Sequence, residues 1–387
     1  MPDLPVYMDN NATTACDPRV VEAMLPYFTR YFGNAASRNH LYGWQAEEAV
    51  AVAREQVAAL IGANPEEIIF TSGATEADNL ALKGAFDMYR QKGNHIITVE
   101  TEHKAVLDTC LHLEKQGAEI TYLPVDVTGL IDLSQLRAAI RPSTVLVAVM
   151  YANNETGTIQ PIAEIGRIAA EHNIPFFTDA VQATGKIPVD VKKDGIAMLA
   201  LSAHKMYGPK GAAALYVSRK NPRIRLVAQM DGGGHEKGMR SGTLNVPGIV
   251  GLGAAAAIGQ STMATEQVRL TLLRDKLESN LLQLDETRVN GNIQHRLPHV
   301  TNLSFGYTES EGLMMSFTRQ LAVSSGSACS SASITPSHVL KAMGLSDSLA
   351  HASLRFSLGR FTTAEEVDYV SGLLTGAVKK MREMNNA

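Results

Sequence analysis

At 387 residues the chain is too long for one comfortable hydrophobic core, so two domains are expected. With 45% hydrophobic and 19% charged residues it is composed like a packed globular protein, which excludes a disordered chain. A formal net charge of -4 gives no global field that would draw it to nucleic acid. The first ten residues have neither a basic n-region nor an apolar h-region, so no secretory leader is read there. The weakly polar run 248–259 is Gly/Ala-rich and falls short of the roughly 20 residues that span a bilayer. A cytoplasmic protein with no membrane contact is therefore expected. The three cysteines, Cys16, Cys110 and Cys329, lack CxxC spacing, so neither a disulfide framework nor a metal site is expected. Cys110 falls in an amphipathic pattern with Val106, Leu107, Leu111 and Leu113 and reads as a small buried hydrophobe.

In chain order, residues 67–70, 95–99, 119–123, 144–150, 175–178 and 198–201 read as β-branched, apolar strands. Between them lie helical patterns over 75–90, 104–116, 133–140 and 162–171, the third with Asp132 as its N-cap. Such alternation predicts an α/β architecture, a mostly parallel sheet covered on both faces by helices. Near 262–284 the pattern changes to a long charged helix, followed by separate strands and a final helix over 364–384. The expected organisation is a large α/β domain, 15–258, and a smaller α+β domain built from 1–14 and 259–387.

In open α/β sheets the site lies beyond the carboxyl ends of the strands, so the polar residues after each strand carry the chemistry. Lys205 follows a buried strand between His204 and a Gly-Pro pair, and a desolvated lysine forms Schiff bases and shuttles protons. Asp179 ends another apolar strand 26 residues earlier, which suits neighbouring strands of one sheet. Such a carboxylate can face a pyridinium nitrogen, the electron sink of pyridoxal 5'-phosphate (PLP). Ser72, Gly73, Ala74 and Thr75 join a strand to a helix, and free amides at a helix N-terminus suit a phosphate. A second Gly-rich, cationic stretch, Gly232-Gly233-Gly234-His235 with Arg240-Ser241-Gly242-Thr243, suits a phosphate or simply a tight connection. Cys329 sits in a Ser/Gly/Ala-rich stretch without hydrophobic period, 324–333, which reads as a mobile loop.

These motifs resemble those of the cysteine desulfurases of the NifS/IscS-like group, class V members of the PLP-dependent aminotransferase-like fold (fold type I). The matching stretches are Asp9-Asn10-Asn11-Ala12-Thr13-Thr14, Thr71-Ser72-Gly73-Ala74-Thr75-Glu76, Thr101-Glu102-His103-Lys104, Asn153-Asn154-Glu155 and Thr178-Asp179-Ala180-Val181-Gln182. They continue with Ser202-Ala203-His204-Lys205, Met239-Arg240-Ser241-Gly242-Thr243, Ser324-Ser325-Gly326-Ser327-Ala328-Cys329 and Arg355-Phe356-Ser357-Leu358.

The resemblance implies that Lys205 holds PLP and moves protons, that Asp179 pairs with the ring nitrogen, and that Gln182 bonds the ring oxygen. It implies that His103 stacks on the ring and serves as acid/base. Ala74, Thr75, Ser202 and His204 would hold the phosphate, with Thr243 reaching in from the second subunit of a homodimer. Asn154 and Arg355 would bind the carboxylate of L-cysteine, and Cys329 would take its sulfur as a persulfide, releasing L-alanine. The sulfur would serve iron–sulfur cluster assembly and other thio-cofactors through an acceptor such as a scaffold protein.

The chain departs from the group's common pattern at Ala35 and Ala203, both small changes. It stops at Ala387, without the tail that housekeeping members use to dock a scaffold, so the resemblance implies catalysis more directly than docking. The basic run Arg219, Lys220, Arg223 and Arg225 reads as a solvated face, although relatives meet acidic regulators with a similar patch. His112, His172 and His299 lack ligand spacing and read as ordinary. Transamination, selenocysteine lyase chemistry and a silent binding platform remain open alternatives.

Overall fold

The computed structural model describes residues 2–220, 222–325 and 335–385. After a two-residue strand β1 (Val6–Tyr7), seven strands form the central sheet: β2 (Ile68–Thr71), β3 (His95–Val99), β4 (Glu119–Leu123), β5 (Thr144–Ala148), β6 (Phe176–Asp179), β7 (Met198–Ser202) and β8 (Ala213–Val217). Their order across the sheet is β2-β8-β7-β6-β5-β3-β4. Only β8 runs against its neighbours, β2 and β7, so the other six strands point their carboxyl ends the same way. Six of these strands were legible as β-branched runs; β8, with the sequence AALYV, was not. In β6 the consecutive residues Phe176 and Phe177 are both buried, one in the core on each face of the sheet. That two-sided burial produces the continuous apolar runs seen in the sequence.

The second layer is a four-stranded antiparallel sheet, ordered β12-β13-β10-β9, from β9 (Thr287–Asn290), β10 (Val300–Phe305), β12 (Ser324–Ser325) and β13 (Ser353–Ser357). A further short strand, β11 (Leu321–Ala322), pairs in parallel with β1. Ser324 and Ser325, expected in a loop, are thus strand residues paired with Arg355 and Leu354. This sheet packs on the closing helix Ala364–Asn385 through Leu303, Phe305, Leu354, Phe356, Val367, Val370 and Leu374.

One helix joins both cores. The charged pattern expected over 262–284 belongs to a 36-residue helix, Val246–Leu281, that begins in the Gly/Ala-rich run. Its first half packs Ile249, Leu252 and Ala256 into the central core, and its second half gives Leu270, Leu273, Leu277 and Leu281 to the smaller one. A Cβ on Gly253 would meet the Ala53 Cα at 2.6 Å, so only glycine lets this helix lie so close to the helix Leu41–Leu60. By length and composition Val246–Leu281 could cross a membrane, but half of its most apolar window is buried inside the protein.

The helices Lys104–Glu114, Leu133–Ala139 and Ile162–Glu171 fall within three residues of their expected bounds. Asp132 caps the second of them by accepting from the Ser134 N–H. The 20-residue helix Leu41–Leu60 was not foreseen.

The second Gly-rich stretch is a tight connection held from within. Glu236, in the left-handed region at φ 47°, accepts from both terminal nitrogens of Arg54 at 2.8 and 2.7 Å and from the Phe70 N–H at 2.8 Å. Its side chain is 2% exposed. Glu236→Ala leaves the partly buried Arg54 without its carboxylate and the Phe70 N–H without its acceptor, and the expected loss is about 2–4 kcal/mol of stability, read as a lower urea midpoint. A loss below about 1 kcal/mol would mean that the loop is anchored elsewhere.

Candidate active site

The carboxyl ends of the parallel strands open into a cavity of about 490 Å³. Lys205, Asp179, Gln182, His103, Asn154, Ser202, His204, Ala74, Thr75 and Arg355 all line it. Ten of the twelve residues expected at the site are therefore brought together in one chain. Thr243 is exposed and does not line its own chain's cavity, and Cys329 lies outside the described residues.

Each side chain is set by its element. Asp179 ends β6, one strand away from Ser202 at the end of β7, and Asp179 pairs in register with Ala200. Lys205 closes a single 3-10 turn, Ala203–Lys205, that follows β7 directly. Its Nζ donates to the carbonyls of Asn11 at 2.5 Å and Ala12 at 2.8 Å. The Asp179 carboxylate accepts from the Val181 N–H at 2.9 Å. Burial pushes Asp179 upward, opposed by His103, that hydrogen bond and Lys205.

His103 is the N-cap of the helix Lys104–Glu114, and its Nδ1 accepts from the Ala105 N–H at 3.1 Å. That bond leaves the proton of a neutral ring on Nε2. His204 is pushed down to about 4, chiefly by burial and then by Lys205 and Lys210, so it is a neutral imidazole at physiological pH. Its Nδ1 lies 3.1 Å from the Thr13 hydroxyl.

The helix Ala74–Tyr89 begins at Gly73, with no side chain capping its first turn. A Cβ on Gly73 would meet nothing within 4 Å, so the free amides of that turn face open space. Glu76 does not occupy it: its carboxylate is turned to Arg240 at 2.7 Å and to the Ser72 N–H at 2.9 Å.

Arg355, in the middle of β13, is 3% exposed. It donates to Asp9 Oδ1 at 2.7 Å and to the Asn154 carbonyl at 2.9 Å, while its Nε is buried without a partner. Gln182 Nε2 donates to the Asn11 carbonyl at 3.0 Å, and its Oε1 is likewise buried and unpaired.

Two acids escaped the sequence reading. Asp78 lines the cavity at 1% exposure with neither carboxylate oxygen bonded, and burial, followed by Asp179 and Glu102, holds it well above the usual carboxylate range. Glu102 is also buried and pushed well up, first by burial and then by Asp179. A helical spacing of four from Ala74 could have signalled Asp78, which shares that helix face. Cys110 is buried and pushed up to about 12, so it is an inert thiol.

These features fit PLP. A buried carboxylate at the end of β6 suits a protonatable ring nitrogen, an uncapped helix N-terminus suits a phosphate, and a buried arginine with its Nε unpaired suits a substrate carboxylate.

The chain belongs to the aminotransferase class-V family, whose sequence pattern matches residues 6–370. It is 59% identical over 383 residues to a cysteine desulfurase IscS from Anaeromyxobacter dehalogenans (strain 2CP-C), covering 99% of this chain and 94% of that one. Among solved structures, a NifS-like protein superposes with a TM-score of 0.88 at 36% identity, covering 98% of this chain and 99% of that one. Another, described as SspA in complex with cysteine, gives a TM-score of 0.80 at 40% identity, covering 92% and 99%. Family and relatives together make this chain a PLP-dependent enzyme, a cysteine desulfurase. They carry that reading rather than the rival selenocysteine lyase.

Beside Asn154, the fully buried Glu155 accepts from the Ser337 hydroxyl at 2.5 Å and is pushed up to about 7 by burial, with Ser337, Arg355 and His103 opposing. Between about 4.3, its unfolded value, and 7 the folded state binds the extra proton, so this contribution to stability falls as pH rises through the window. Glu155→Gln keeps an acceptor for Ser337 but cannot ionise. Its stability relative to wild type, followed by thermal melts, should climb from about pH 4.3 to pH 7 and then level, by on the order of 3 kcal/mol. A difference that stays flat across that range would show that Glu155 is not protonated in the fold.

Proposed function

We propose that the cavity binds PLP on Lys205 and L-cysteine beside it, and that the sulfur leaves to Cys329. The observation that carries this reading is the convergence of Lys205, Asp179, Arg355 and an uncapped helix N-terminus on one cavity. Bound PLP supplies an electron sink for the pair left behind when Cα loses its proton. Asp179 would pair with the ring nitrogen and favour its protonated form, Gln182 would bond the ring oxygen, and His103 would cover the ring. Ala74, Thr75, Ser202 and the neutral His204 hold the phosphate. Arg355 and Asn154 orient the substrate carboxylate, and the exchange of Asp9 for that carboxylate keeps the arginine paired throughout. The Lys205 amine would remove the Cα proton of the bound substrate and return it. The Cys329 thiolate would attack the substrate sulfur and form the S–S bond while the Cβ–S bond breaks with its electron pair passing to Cβ; a proton taken up at Cβ then leaves L-alanine, and Cys329 carries the persulfide.

In this reading the enzyme is a cytoplasmic homodimer, with Thr243 completing the phosphate site of the second subunit, and it passes sulfur to an acceptor such as an iron–sulfur scaffold. Its large domain is 15–258, and 1–14 with 259–387 form the smaller one. Exposed Phe28, Phe32, Leu41, Tyr42 and Trp44 offer the apolar surface that a second copy would cover.

Lys205→Ala should lose covalent cofactor attachment and all turnover, and borohydride reduction of the wild type should label Lys205 alone. Labelling of any other lysine would overturn the assignment. Cys329→Ala should still bind PLP and still shift its spectrum with cysteine, yet form neither protein persulfide nor steady alanine. Near-normal alanine formation by that variant would return the reading to a lyase. Wild type should sediment as a dimer, and a fully active monomer would refute the shared phosphate site.

A further inference from the structure

A second lysine lies buried behind the cavity with no carboxylate at ion-pair distance among the described residues. Lys186 is 6% exposed, its Nζ is 3.4 Å from His299 Nε2, and it sits over the Tyr207 ring at 5.6 Å from the centroid. His299, in turn, is 0% exposed and places the same Nε2 2.9 Å from Asn11 Oδ1.

The hydrogen-bond directions in this chain are fixed. Asn11 Nδ2 donates to the Asn154 carbonyl at 2.9 Å, so its Oδ1 is the atom turned to His299 and can only accept. Nε2 of His299 must therefore carry a hydrogen. Nδ1 is buried without a partner, and burial, Lys186, Arg274 and Arg355 all disfavour a second proton, so the ring is neutral. An ammonium at Lys186 would then point N–H at N–H. An amine offers a lone pair instead, and it shares the His299 proton with Asn11.

Asn11 is also where this chain meets the chemistry. Its carbonyl accepts from Lys205 Nζ and from Gln182 Nε2. We propose that Lys186, carried uncharged behind the cofactor site, is a positioning residue for Lys205, acting through His299 and Asn11, and that gaining a proton loosens this hold. The charged and titratable groups facing Lys186 are His299, Lys205, Glu266, Arg360 and Tyr207. Burial lowers Lys186 to about 7, Lys205 and Arg360 push the same way, and Glu266 opposes them. Protonation there adds a cation that repels both Lys205 and the His299 N–H, and the Asn11 carbonyl moves with its side chain. The inference rests on Lys205 being the cofactor lysine.

The test is the rate at which apoenzyme captures added PLP, followed by absorbance across about pH 6 to 8.5, with borohydride trapping at each pH. Wild type should show an inflection near 7, with capture slowing about tenfold per pH unit below it. Lys186→Met and Lys186→Gln cannot take up a proton and should lose the inflection near 7, keeping only the slope that protonation of the Lys205 amine itself gives, while still attaching PLP to Lys205. Lys186→Arg, charged throughout, should capture slowly at every pH. A wild type without the inflection, or neutral variants that keep it, would overturn the proposal. Trapping at another lysine would instead fail the underlying assignment of Lys205.

Thermal melts of the apoenzyme give a second, cofactor-free measurement. Unfolded lysine titrates near 10.4, so between about 7 and that value the unfolded state binds more protons and wild-type stability rises with pH. The advantage of Lys186→Met should be full at pH 7 and below and shrink toward pH 10. An advantage independent of pH would mean that Lys186 is charged in the fold and would overturn the proposal.

Discussion

The site depends on one stretch of backbone, Asn11–Ala12, wedged between the two sheets. Its carbonyls receive Lys205 and Gln182 from the central sheet side, while the Asn11 side chain reaches Asn154 and His299 and its backbone N–H donates to the Ser357 hydroxyl at 2.8 Å. Neighbouring Asn10 donates to the Ser357 carbonyl at 2.9 Å, and Asp9 forms an isolated bridge with the same residue. A buried backbone carbonyl must be paired, and here the pairing partners are the cavity side chains Lys205 and Gln182. The N-terminal segment is thus held by Lys205 on one side and by β13, which carries Arg355, on the other. Moving it would displace Lys205 and Arg355 together.

A second clasp supports the first. Tyr207, fully buried just beyond Lys205, donates its N–H to nothing flexible: the Thr14 hydroxyl accepts it at 2.8 Å, and the Tyr207 hydroxyl accepts from the Arg360 N–H at 2.6 Å. Arg360 stacks its guanidinium 4.2 Å from the Tyr207 ring and pairs with Asp17 at 2.7 Å and Glu266 at 2.6 Å. Residues from the N-terminus, the strand β7 turn, the long helix Val246–Leu281 and the segment after β13 therefore share one buried aromatic. Removing any single partner leaves a charge or a hydroxyl stranded in a dry place, which is why such clusters hold geometry better than surface pairs of equal number.

Much of this was legible because strand ends and helix starts carry local signals. Lys205, Asp179 and the Ser72–Thr75 junction stand where apolar periodicity stops, and Asp132 announces a helix by its own chemistry. What could not be read depends on contacts remote in sequence. His299 lacks any ligand spacing and read as ordinary, yet it lies against Asn11, 288 residues away. Lys186 drew no notice, since nothing in its neighbours in sequence says that the charge lacks a carboxylate. Asp78 was hidden inside an amphipathic helix, where an acid normally marks the solvated face. Strand β8 was missed because two alanines dilute its β-branched character, and the Gly/Ala half of the long helix was separated from its charged half because each packs on a different core.

The cavity sorts charge by depth, and the modest net charge of the chain conceals it. Asp179, Asp78 and Glu102 are all buried, whereas Lys205 and His204 are partly exposed and Lys210 is exposed at the rim. Three carboxyl groups in one dry wall cannot all ionise, and the one with His103 and Lys205 nearby is the one best able to stay charged. Asp78 and Glu102, both pushed upward by burial and by Asp179, are biased toward the neutral form beside the Asp179 carboxylate. A ligand with a basic ring nitrogen at one end and an anionic group at the other is consequently drawn in only one way round, nitrogen toward the floor and anion toward the helix N-terminus and the cationic rim. The orientation of such a ligand is thereby set by the depth at which each charge is buried.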